Sequence, residues 1–105
     1  MRLDKLIGKT VTVKSTKSND EELTLIIDGL EYYATSDGDC CAGLDNVRIF
    51  HDLNTNTITV VDVDEYGGEE ATISDEEGNT IEFSGDYYDS SGWGGYYVWF
   101  ELERV

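Results

Sequence analysis

Apolar and polar positions alternate along most of this chain with a period of two, the signature of strands with one face buried. Val11 and Val13 alternate with Thr10, Thr12 and Lys14. Leu23, Leu25 and Ile27 alternate with Glu22, Thr24 and Asp28. Asp28-Gly29 then supplies the dipeptide of a tight hairpin, and Leu30, Tyr32 and Ala34 share a face of the returning strand. Ser36-Asp37-Gly38-Asp39 reads as a second turn. Residues 40–53 are ambiguous. Leu44, Val47 and Phe50 have helical spacing behind a candidate N-cap, Asp39. Val47, Ile49 and His51 read as a strand. The expectation is a helical turn leading into a short strand.

After a turn at Asn54-Thr55-Asn56, Thr57–Asp64 reads as one strong strand with Ile58/Val60 and Val61/Val63 on opposite parities. Such a phase change implies a bulge or burial on both faces. Residues 65–79 read as loop with a short strand near 71–74. Thr80–Ser84 places Ile81 and Phe83 inward, and 86–95 reads as a long glycine-rich turn. The final strand, 96–105, sets Tyr96, Val98, Phe100 and Leu102 against Tyr97, Trp99, Glu101 and Glu103. The fold class that follows is mainly β: a small antiparallel sheet, curled or barrel-like, with at most one or two short helices. Connections this short leave no room for crossover helices between parallel strands. The length suits a single domain over 1–105.

Charge changes the picture. The chain carries 23 Asp+Glu against 7 Lys+Arg, a formal net charge of −16 on 105 residues. Residues 61–105 hold only one base, Arg104. Yet that half is also rich in aromatic and β-branched residues, which disordered acidic segments lack. It is expected to fold, with a dense negative surface that repels nucleic acid and attracts basic clefts. No apolar run approaches the length of a membrane span, and no leader-like segment stands at the N-terminus. The expected location is the cytoplasm.

Catalytic and metal chemistry find little support, and the expectation is no catalytic residue, no metal and no cofactor. Cys40 and Cys41 are adjacent, which suits neither a disulfide nor zinc, so both are expected to be reduced and structural. A Cys–His hydrolase using Cys40 or Cys41 with His51 is the enzyme alternative. Asp62-Val63-Asp64-Glu65-Tyr66-Gly67 begins like a calcium loop but lacks ligands at the later positions.

The acids fit a binding role better. Alternate strand residues lie on one face roughly 6.6 Å apart, a separation comparable to that of neighbouring phosphates. Asp62/Asp64 and Glu101/Glu103 have this spacing and are expected to share one continuous negative face, extended by Glu69, Glu70, Glu76 and Glu77. Trp93, Tyr97 and Trp99 are candidate aromatic anchors beside it. The alternative is that Trp93 pins its own loop and Trp99 covers a second small core.

Four short segments carry a resemblance: Leu6-Ile7-Gly8-Lys9-Thr10-Val11, Asp39-Cys40-Cys41, Asn46-Val47-Arg48-Ile49 and Gly95-Tyr96-Tyr97. In these the chain resembles a family of small domains from phages and bacteria, departing from it between Val60 and Gly94. The resemblance supplies no catalytic residues and implies a mobile-element origin. By charge, the chain is similar to phage proteins that inhibit host defence by imitating DNA. The expected function is therefore an acidic, non-enzymatic inhibitor of a basic nucleic-acid-binding protein, such as a CRISPR effector or restriction nuclease. The alternative is a non-catalytic accessory domain whose acidity serves solubility.

Overall fold

In the computed structural model, which describes residues 1–15, 23–52 and 56–105, nine strands follow one 3₁₀ turn, Leu3–Leu6. They form two antiparallel sheets. The first is ordered β5-β1-β2-β3-β9, from Thr57–Thr59, Thr10–Ser15, Leu23–Ile27, Leu30–Gly38 and Val98–Arg104. The second is ordered β4-β8-β7-β6, from Ala42–Asp52, Thr80–Asp89, Glu70–Ser74 and Asp62–Tyr66. The mainly β expectation holds. The sheets do not close into a barrel; they enclose one shared core.

The alternation built into the sequence produces that core. Val11, Val13, Leu25, Ile27, Val98, Phe100 and Leu102 bury the inner face of the first sheet. Leu44, Ile49, Ala71, Ile73, Ile81 and Phe83 bury that of the second. Phe83 meets Phe100 across the interface, ring centroids 5.7 Å apart. Leu3 and Leu6, both fully buried, plug the core from the 3₁₀ turn. The Asp28-Gly29 turn has positive φ at both residues (54° and 77°), the backbone a two-residue hairpin of this twist requires.

Four expectations change. The predicted strand 57–64 is two strands in different sheets. Val60 still exchanges backbone hydrogen bonds with Gly8 and Lys9, which lead into β1 of the first sheet, whereas Val61 already donates to Ser74 of the second. The phase change in the sequence is this sheet switch. Residues 42–52 contain no helical turn: they form one long strand with a bulge between Asp45 and Arg48, where Asn46 takes φ 54°. The bulge brings Leu44 and Ile49 to the same side despite their odd separation and lets Val47 reach the core beside Leu44, while Phe50, the third of the helically spaced residues, faces outward. The turn expected at 36–39 falls later, at 39–41. Strand β8 runs on to Asp89 where a turn was expected, because Gly85 and Tyr87 continue the inward row of Ile81 and Phe83. The expected turn at Asn54-Thr55 and the start of the strand at Glu22 lie outside the described residues.

Candidate functional site: an acidic sheet face and an aromatic loop

Register along the second sheet builds its outer face row by row. Asp64 stands opposite Thr72, Thr72 opposite Glu82, and Glu82 opposite Phe50. In the next row Tyr66 is opposite Glu70, Glu70 opposite Ser84, and Ser84 opposite Arg48. Asp62, one pleat beyond Asp64, continues the face. All four carboxylates, Asp62, Asp64, Glu70 and Glu82, are exposed. Asp62 and Asp64 alternate on a strand, so the calcium-like segment is no loop. Glu69 lies in the β6–β7 turn, and Glu76 and Glu77 in the β7–β8 turn, all exposed.

Four of the described cations pair with other acids. Lys9 pairs with Asp28 at 2.8 Å and Lys14 with Glu31 at 3.0 Å. Arg2 reaches Glu65 at 3.8 Å, and Arg48 reaches Asp86 at 3.6 Å. The Asp28 partner raises the Lys9 pKa, and bonds from Lys14 and Thr24 lower that of Glu31. Among the described residues no cation lies within ion-pairing distance of Asp62, Asp64, Glu70 or Glu82. These four carboxylates thus form an unneutralised group on the outer face of the second sheet; the acids of that sheet paired with arginine are Glu65 and Asp86.

The expected continuous row of Asp62, Asp64, Glu101 and Glu103 does not form. The two pairs stand on strands of different sheets, because the chain changes sheets at Val60-Val61. The C-terminal pair is also engaged locally. Glu101 accepts a hydrogen bond from the Trp99 indole at 2.9 Å and pairs with the Met1 amino group at 3.1 Å. Glu103 accepts from the Tyr33 hydroxyl at 2.6 Å, which raises the tyrosine's pKa. Trp99 is half-buried beneath the Arg2 guanidinium, 4.8 Å from the ring centroid, and so has its contacts within the chain.

Trp93 and Tyr97 are placed differently. Trp93 is 86% exposed and Tyr97 79%, both on the loop between β8 and β9. The loop's backbone is fastened. Asp89 accepts from the Ser91 backbone and hydroxyl and from the Gly94 amide. Ser90 donates to the Cys41 carbonyl through backbone and side chain, both at 3.0 Å, and Asp39 donates to Tyr97 at 2.9 Å. The aromatic rings project from a held scaffold.

Cys40 and Cys41 are joined as a vicinal disulfide in the β3–β4 turn, which corrects the expectation of two reduced thiols. Neither is fully buried. His51 stands near the other end of β4, ten residues on, roughly 30 Å away along an extended strand. The Cys–His pair of a hydrolase is therefore not assembled. Among the described residues, no three His, Cys, Asp or Glu side chains converge as metal ligands. No helix among them is long and apolar enough to cross a membrane.

Sequence reasoning missed Phe50 and Tyr66, which are 51% and 54% exposed on the acidic face. Tyr66 shares parity with Asp62 and Asp64, a signal available once 62–66 is read as a strand. Phe50 is hidden by the bulge. No curated protein and no solved structure matches the chain. Residues 4–99 match the model of a domain of unknown function, DUF7448, and the chain belongs to that family.

Proposed function

We propose that this protein is an acidic, non-enzymatic inhibitor, encoded by a phage or another mobile element, that occupies the basic cleft of a nucleic-acid-handling defence protein in the cytoplasm. The observation that carries this reading is the segregation of charge. Asp62, Asp64, Glu70 and Glu82 on the outer face of the second sheet have no described cation within ion-pairing distance, although self-repulsion at −16 opposes folding. Rows of carboxylates on a twisted sheet present negative charge at spacings near those of nucleic-acid phosphates. A channel shaped for a duplex would be drawn to them and steered in encounter. Trp93 and Tyr97 supply exposed aromatic anchors for affinity beyond charge.

The test is capture from a host lysate on the immobilised protein, followed by elution with excess duplex DNA or with salt. The reading expects a CRISPR effector, restriction enzyme or other nucleic-acid-handling protein that both treatments release. A captured protein that duplex DNA and salt leave in place contradicts it.

A further inference from the structure

The outer face of the second sheet is concave between its two exposed aromatics. Phe50, Tyr66, Glu70, Thr72, Glu82 and Ser84 line a groove of about 450 Å³. Each aromatic stands directly across from a carboxylate: Phe50 from Glu82, Tyr66 from Glu70. Thr72 and Ser84, the small residues between them, leave the floor low. The groove thus holds the same constellation twice, a ring beside an unneutralised carboxylate.

That constellation fits a guanidinium. Its planar fork bonds a carboxylate while its face stacks on a ring, a combination a lysine ammonium matches less well. The spacing narrows the fit. Glu70 and Glu82 are diagonal neighbours on adjacent strands, a relation that places residues roughly 7–8 Å apart. In an extended segment, side chains two residues apart point the same way at roughly 6.6 Å. A second copy of this chain, at −16, would be repelled.

We propose that the Phe50–Tyr66 groove docks two arginine side chains, at positions i and i+2 of an extended basic segment of the partner protein. The inference rests on the reading that the partner is a basic protein, and adds the place and spacing of contact.

The intact ¹⁵N-labelled protein is titrated at low salt with an Arg-Ser repeat peptide. A peptide of the same composition built from Arg-Arg-Ser-Ser repeats is the comparator. The proposal expects amide shifts centred on Phe50, Tyr66, Thr72 and Ser84, and tighter binding of the alternating peptide. It expects Glu82→Gln and Phe50→Ala each to weaken that peptide by about fivefold. Asp4→Asn, which removes an exposed acid of the 3₁₀ turn, should leave affinity unchanged; well-dispersed amide spectra confirm folding of each variant. Shifts spread over both sheets, shifts centred on the 90–97 loop, or equal affinity for the two peptides overturn the docking site and leave the acidic-inhibitor reading standing. Absence of any shift with either peptide overturns both.

Discussion

Trp93 makes its contribution outward, so its removal separates affinity from stability. With 86% of its surface exposed, Trp93→Ala should leave the urea midpoint nearly unchanged and weaken partner binding by about 2 kcal/mol, the loss typical of an interface anchor. A lowered midpoint with unchanged binding would show that the ring pins its own loop. Below the ring, Asp89 has its pKa lowered, first by the Ser91 side chain and then by backbone amides including Gly94. Asp75 is lowered in the same way, first by the Asn79 side chain, and holds the β7–β8 turn. A carboxylate lower in the folded than in the unfolded chain stabilises above its unfolded value. That stabilisation is lost as pH falls through the folded one. Carboxyl ¹³C titration should therefore give both residues midpoints below their ordinary 3.8. Midpoints at or above 3.8 would mean that the turn bonds do not persist in solution.

At the level of elements, the β6–β7 turn depends on close approach to β9. Gly68 has φ +85°, and a Cβ there would run into the Val98 carbonyl, whereas one at Gly67, φ +63°, would meet nothing. Both substitutions carry the left-handed cost of about 1–2 kcal/mol. Gly68→Ala should lose more than Gly67→Ala in urea denaturation, and equal losses would refute the contact. Such long-range contacts are what a single sequence does not display. Local signals were legible: the Asp28-Gly29 hairpin, the inward row Val98, Phe100, Leu102, and the turn at Asp75–Asn79. The division of 57–66 between two sheets was visible only as a parity change, because a bulge and a sheet switch leave the same trace. The Asn46 bulge disguised β4 as partly helical and concealed Phe50. The grouping of acids failed for the same reason. Outward parity on β6 and β9 was read correctly, but parity alone does not say that those strands belong to different sheets. Exposure of Trp93 was suggested by its flanking glycines, and the covering of Trp99 by Arg2 was not, since those residues are neighbours only in space.

Across the whole molecule, charge acts on stability and recognition in opposite directions. Screening shortens the reach of exposed charges from about 10 Å at 0.1 M salt to about 3 Å at 1 M. With a net charge of −16, folding should be relieved of self-repulsion, and the melting temperature should rise between these concentrations. A fall would show that the few ion pairs outweigh the repulsion. Partner binding should weaken over the same interval. The measurement that bears most directly on the central claim is the salt dependence of affinity for the captured partner. It compares the unaltered protein with the variant Asp62→Asn, Asp64→Asn, Glu70→Gln, Glu82→Gln. Amide replacements keep the shape of the outer face and remove its charge. The variant should bind more weakly at low salt and with a shallower salt dependence, the two proteins converging as salt rises. Equal affinities and slopes for the two proteins at every salt concentration would contradict the claim that this face binds a basic partner.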